Sequence, residues 1–125
     1  MKPIYLDNNA TTRVDPAVVD AMLPFFTEHF GNASSIHAFG SEVGKALKKA
    51  RSQVQALLGA EHDSEIIFTS CGTESDSTAI LSALKAQPER NTVITTNVEH
   101  PAILTLCDWL EKEGYIVHKL KVDKK

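Results

Sequence analysis

The second half of the chain alternates short apolar runs with helical patterns, and this alternation narrows the possible folds more than any other feature. Ile66-Ile67-Phe68-Thr69 reads as a short buried strand, and a helical pattern follows from about Thr73 to Ala86, ended by Pro88. Thr92-Val93-Ile94-Thr95 reads as a second strand. Pro101 opens a helix running to about Glu113, and Gly114 stops it before a third strand at Tyr115–Leu120. Strand, helix, strand, helix, strand predicts a parallel sheet whose strands are joined by right-handed crossover helices. Ligands of such sheets bind beyond the carboxyl ends of the strands, where Gly72 and His100 fall. A sheet of three parallel strands leaves both edges unpaired, so the expectation is an incomplete α/β fold, the opening of a larger domain.

The first sixty residues carry a different pattern. Ile4-Tyr5-Leu6 is an extended piece, and Asp7-Asn8-Asn9-Ala10-Thr11-Thr12 is a turn rich in hydrogen-bonding side chains. Asp15-Pro16 is a helix start, with Asp15 as N-cap and Pro16 at the first helical position. That helix is expected to reach about His29, with a kink or early break at Pro24. After a loop at Phe30-Gly31-Asn32-Ala33-Ser34-Ser35, a helix is expected over Ser41–Leu58. Val43, Leu47, Ala50, Val54 and Leu57 share one of its faces, and Gly59 forms its stop. The organisation expected is residues 1–60 as an N-terminal loop and helices, and residues 61–125 as the start of an α/β domain.

Composition removes several classes of function. The net charge of −3, with no basic stripe, argues against nucleic acid as a partner. No apolar run approaches a membrane span, and the N-terminus lacks a signal-peptide apolar region. Two cysteines, Cys71 and Cys107, form no disulfide framework, which fits a reducing cytoplasm.

Phe68-Thr69-Ser70-Cys71-Gly72-Thr73-Glu74-Ser75 holds the most chemistry. A strand turning through glycine into a helix points free N–H groups, hydroxyls and the positive end of the helix dipole at one spot, an arrangement that holds phosphate. Gly72, Thr73 and Ser75 are equally residues of an ordinary capped turn, and both readings stay open. Glu74 and Asp76 must face away if a phosphate is to sit there. His100, just before Pro101, is either a flat ring at the ligand edge of the sheet or a residue that caps the next helix. Cys71, near a helix N-terminus, is either an activated thiol or a small residue lining the turn. Cys107 shares helical spacing with Ile103, Leu106 and Leu110, which makes it core. Cys71, His100, Cys107 and His118 lack zinc-ligand spacing, and neither a Gly-x-Ser-x-Gly elbow nor a Walker loop is present.

Taken in order, four segments resemble the start of the cysteine desulfurases, fold-type I enzymes that use pyridoxal 5′-phosphate (PLP). They are Tyr5 to Thr12, Phe30 to His37, Phe68 to Asp76, and Val98-Glu99-His100-Pro101. The resemblance covers essentially the whole chain and is closest to the NifS type, associated with nitrogenase maturation. It implies the N-terminal part of the fold-type I PLP-dependent transferase fold. Gly72 and Thr73 then hold the PLP phosphate, and His100 stacks on the pyridine ring and assists proton transfer. Asn8 and Thr11 lie near the substrate pocket, and His37 occupies a motif position without an assigned role. Ala33 stands where the family usually has proline, a change expected to loosen its loop slightly.

The resemblance further implies L-cysteine as substrate, an iron–sulfur scaffold protein as sulfur acceptor, and a cytoplasmic homodimer. Such chemistry needs a Schiff-base lysine, a carboxylate on the pyridine nitrogen and a cysteine nucleophile. In the family all three lie downstream of the matched segment, and none of the ten lysines here falls in the lysine motif. The chain is therefore expected to be an N-terminal portion, inactive alone. Two other expectations are a different fold-type I enzyme, such as an aminotransferase, and a non-catalytic module lending a half-site to another polypeptide.

Overall fold

Local signals place most of the elements. A computed structural model describes residues 3–123, and the chain forms two compact units, one ending at Ile66 and the other beginning at Ile67.

In the first unit, α1 (Pro16–Met22) begins as its sequence requires: Asp15 Oδ1 accepts the Ala17 N–H at 2.8 Å and Pro16 occupies the first position. The expected break at Pro24 occurs, and α2 (Pro24–Thr27) is a separate short helix. The long helix α3 (Ala38–Leu58) starts three residues before the expected Ser41 and ends at Gly59, whose φ of 71° is the left-handed stop that glycine supplies. Its earlier start reflects Gly40, which is buried rather than helix-breaking. A Cβ on Gly40 would come within 2.7 Å of Ser35 Cβ, so glycine here lets the 31–35 loop lie against the first turn of α3. The Ala33 carbonyl likewise lies 3.2 Å from where a Cβ of Gly44 would stand. Phe30 and Phe39 pack at a ring separation of 6.0 Å across the same junction. A 3₁₀ turn, Asp63–Glu65, follows α3, and the Arg51 side chain on α3 donates to the Ile66 carbonyl just beyond it.

The second unit departs from expectation at its first element. Residues 66–69 carry no regular structure and join no ladder among the described residues. The three-stranded sheet is thus two-stranded among the described residues: β1 (Thr92–Thr96) and β2 (Ile116–Leu120), parallel, with Thr92 opposite Ile116 and Thr96 opposite Leu120. A strand is defined by its partner, and an apolar run cannot supply one. Ile67 and Phe68 are accordingly 71% and 45% exposed, whereas Ile66 is buried.

The helices α4 (Gly72–Ala86) and α5 (Pro101–Lys112) complete this unit, and α5 packs against both α4 and β2. Its core is Cys107 and Leu110, both fully buried, as the helical spacing predicted for Cys107. Gly114, at φ 93°, turns the chain from α5 into β2. On the rim, Lys119 of β2 bonds the carboxylates of Asp108 and Glu111 on α5.

Candidate functional site

The site is built on two helix starts of the second unit. At α4 the N-cap is Cys71, in extended backbone, and no side chain caps the helix. The Ser75 N–H reaches the Cys71 carbonyl at 3.1 Å. Among the described residues the N–H groups of Gly72, Thr73 and Glu74 reach no oxygen, and the Thr73 hydroxyl has no hydrogen-bond partner. These donors bear on the Cys71 thiol, which lies below its ordinary pKa. The Glu74 N–H is the main cause, followed by the Ser70 hydroxyl and then the Thr73 N–H; desolvation and the Glu74 carboxylate oppose them.

The polar residues around this turn bond one another and leave those donors alone. Ser70 gives its N–H (2.7 Å) and its hydroxyl (2.6 Å) to Glu74 Oε2. Those two bonds, the hydroxyl first, hold the Glu74 carboxyl below the usual range. Glu74 thereby meets the requirement that it be committed elsewhere if a phosphate is to sit at the turn. Thr69 Oγ1 and Ser75 Oγ lie within hydrogen-bond distance of each other and of the Cys71 carbonyl, at 3.2 and 3.3 Å, so one hydroxyl donates to the other and the second donates to the carbonyl. Ser75, grouped by sequence with the cradle, thus belongs to its frame.

Gly72 is the sharpest observation. Its φ lies outside the left-handed region, and an added Cβ would meet nothing within 4 Å. Neither backbone conformation nor packing within the chain calls for glycine here. The space that a side chain would fill lies at the open first turn, where a phosphate oxygen would approach the amides. Open amides, a free hydroxyl and a clear approach fit the phosphate of PLP.

At α5 the capping reading of His100 holds. Its Nδ1 accepts the Ala102 N–H at 3.2 Å, so a neutral ring carries its proton on Nε2. The loop between β1 and His100 is pinned by Thr96 Oγ1 donating to Glu99 Oε1 at 2.9 Å, and by the Asn97 N–H on the Leu120 carbonyl at 2.9 Å. Capping does not withdraw His100 from a site. The ring is exposed and, with Thr73, Ser77, Pro101, Thr105, Leu106 and Trp109, it lines an open concavity of about 630 Å³ between α4 and α5. Thr73 and His100, singled out separately in the sequence, therefore share one surface. His100 lies just past the carboxyl end of β1, whereas Gly72 follows an extended segment rather than a strand end.

Asn8, Thr11 and His37 belong to the first unit. Asn8 and Thr11 sit in a turn closed by the Ala10 and Thr11 N–H groups on the Asp7 carbonyl, at 3.1 and 3.4 Å. His37 precedes α3 with its ring edge-on to Phe39 at 6.4 Å. The Ser70–Glu74 bonds are what sequence reasoning missed. Their spacing of four lies one residue outside the usual capping box, although a serine before a helix and a glutamate inside it were there to be tested.

The class-V aminotransferase family model matches residues 4–125. Cysteine desulfurase NifS of Azotobacter vinelandii is 78% identical over 125 residues, covering all of this chain and 31% of that protein. A cysteine desulfurase of Gluconacetobacter diazotrophicus is 68% identical over 124 residues, covering 98% of this chain and 31% of its own length. The chain thus spans about a third of the length of these relatives. Among solved structures, a NifS-like protein superposes with a TM-score of 0.86 at 40% identity, over 94% of this chain and 32% of that one. A structure described as SspA in complex with cysteine gives 0.84 at 34% identity, over 93% and 33%. The architecture is accordingly the N-terminal part of the fold-type I fold that the sequence resemblance implied. Matched along residues 4–125 and sharing this fold, the chain belongs to the class-V aminotransferase family.

Proposed function

We propose that the chain is the N-terminal part of a PLP-dependent cysteine desulfurase, which converts L-cysteine to L-alanine and carries the sulfur away as an enzyme persulfide. The observation that carries this reading is the open first turn of α4, where the Gly72 N–H and the Thr73 hydroxyl meet no acceptor among the described residues, beside an exposed His100. The names of the relatives and the cysteine complex of a structural neighbour support the choice of substrate.

In this reading the Gly72 and Thr73 N–H groups and the Thr73 hydroxyl hold the PLP phosphate. His100, oriented by the Ala102 N–H on its Nδ1, would lie at the pyridine ring of PLP and could exchange a proton at Nε2. Bound PLP supplies the electron sink for the carbon–sulfur chemistry. Asn8 and Thr11 are substrate-contacting residues by the resemblance of their segment. The lysine that anchors PLP, the carboxylate on its ring nitrogen and the cysteine that accepts sulfur belong to the remainder of a protein about three times this length. Residues 61–125 form the start of its PLP-binding domain.

The NifS name of a relative supports sulfur delivery to an iron–sulfur scaffold protein, in the service of nitrogenase. The working form is a cytoplasmic homodimer. Among the described residues no helix is long and apolar enough to cross a membrane.

The test is turnover of the full-length protein loaded with PLP. With an excess of added thiol to reduce the enzyme persulfide, alanine and sulfide from L-cysteine in equal amounts are expected, with none from the 125-residue chain. Amino transfer that depends on a 2-oxo acid, without sulfide, would replace desulfuration by an aminotransferase activity.

A further inference from the structure

The bonds around the first turn of α4 divide into two sets. Ser70, Glu74, Thr69 and Ser75 bond one another and the Cys71 carbonyl, while the donors that would meet a ligand are left out. Within the first set, the Ser70–Glu74 pair spans the point where extended chain becomes helix. Cys71 between them is fully extended, at φ −165° and ψ 170°, and Gly72 is already helical. Among the described residues no side-chain oxygen caps the amides of this end, and uncapped first turns fray. A carboxylate one turn into the helix that holds both the N–H and the hydroxyl of Ser70 closes the turn from outside. It does so without occupying the Gly72, Thr73 or Glu74 amides.

We propose that Glu74, acting through Ser70, is a positioning residue for the cofactor phosphate: it fixes the direction of the Gly72 and Thr73 donors and touches no ligand itself. The inference rests on the PLP reading above. It explains why a carboxylate is tolerated beside an anion site. Both Ser70 donors fall on Oε2, so the negative charge is drawn toward Ser70. It also separates geometry from charge, because a glutamine with its amide oxygen at the Oε2 position can accept both the Ser70 N–H and the Ser70 hydroxyl without a negative charge.

The experiment compares the affinity of the full-length protein for PLP and for pyridoxal, which lacks the phosphate, in the wild type, Glu74→Ala, Glu74→Gln and Ser70→Ala. The wild type is expected to prefer PLP strongly. Glu74→Ala and Ser70→Ala each reduce that preference by about tenfold, on the scale of a lost helix cap, while pyridoxal affinity stays within about threefold. Glu74→Gln restores the preference, and the double alanine variant is no worse than either single one, since both remove one interaction. A purely structural role would weaken PLP and pyridoxal alike and leave their ratio unmoved, which would overturn the proposal. So would tighter PLP binding in Glu74→Ala, or a glutamine variant as poor as the alanine one. If Glu74→Ala does not fold, Ser70→Ala carries the same comparison. A wild type with no preference for PLP over pyridoxal would remove the phosphate site, and this inference with it. An intact wild-type preference with unchanged ratios in the variants would remove this inference alone.

Discussion

The two helix starts of the second unit solve one problem in opposite ways. At α5 every early donor is accounted for. Pro101 has no N–H, the Ala102 N–H goes to His100 Nδ1, and the Ile103 N–H reaches the His100 carbonyl at 2.9 Å. At α4 a glycine replaces the proline, a cysteine replaces the capping side chain, and three amides are left without an oxygen. A closed start stabilises its helix and holds the His100 ring still. An open start gives up that stability and keeps its donors for something outside the chain. A helix start that lacks its own cap is therefore the one to inspect for an anion. The opening turn of α3 qualifies the rule: it too lacks a side-chain cap, but the 31–35 loop lies against it and Gly40 is buried.

Substitutions can break this contrast from either side. The largest effect is expected from Thr73→Ala in the full-length protein. It removes a hydroxyl without an internal partner, and with it a charge-assisted hydrogen bond worth roughly 1.5–3 kcal/mol to bound phosphate. PLP affinity, measured by titration, should fall about ten- to hundredfold with little change in melting temperature; an unchanged affinity would make α4 an ordinary helix start.

His100 is next. His100→Asn keeps a capping oxygen and loses the imidazole, whereas His100→Ala loses both. Alanine should cost about 0.5–2 kcal/mol of stability and asparagine much less, while both cut turnover more than they cut PLP content. Normal turnover in His100→Asn would reduce His100 to a cap.

The thiols should separate by rate of alkylation. Cys71 is exposed and its thiol is drawn below the ordinary value, so it should react at lower pH than an ordinary thiol, and PLP should protect it. Cys107 is fully buried and burial pushes its thiol up, so it should stay inert until the unit unfolds. Mass spectrometry of the labelled peptides decides this, and equal labelling of both would contradict the packing of α5.

The smallest effect concerns the Lys119 cluster. Hydrogen bonding to Lys119 lowers the Asp108 carboxyl, and that bond, with a second from Glu111, raises Lys119. The Asp108 contribution is present above its unfolded value near 4 and is lost as pH falls through the lower folded value. That of Lys119 is present below about 10.4 and is lost as pH rises through its raised folded value. Both groups are solvent-screened, so melting scans of Asp108→Asn should show a small loss at neutral pH that vanishes in strong acid.

Where one residue decides a conformation, the sequence was a sufficient guide. Asp15-Pro16, Pro24, Gly59 and Gly114 mark boundaries that the structure keeps, because each acts through its own backbone or its nearest neighbours. Cys107 fell into the core because helical spacing is also local. Distant partners were the difficulty. Residues 66–69 have the composition of a strand but join no ladder among the described residues. Gly40 has the composition of a helix breaker, yet serves a close approach of the 31–35 loop. At the site, Gly72, Thr73 and His100 could be named from strand–turn–helix spacing. Their frame could not, because Ser70–Glu74 lies outside the usual capping spacing and Thr69 and Ser75 meet only once the turn is folded.

The measurement that tests the central claim most directly is PLP titration of Gly72→Ala in the full-length protein, with the melting temperature taken on the same sample. Beyond its chain neighbours and its own helix backbone, an added Cβ meets no atom of the described residues within 4 Å, so the fold should be unharmed or slightly firmer. The same methyl group would fill the approach to the α4 amides, and PLP affinity should fall at least tenfold. Unchanged PLP affinity in a folded Gly72→Ala protein would show that no phosphate approaches this turn.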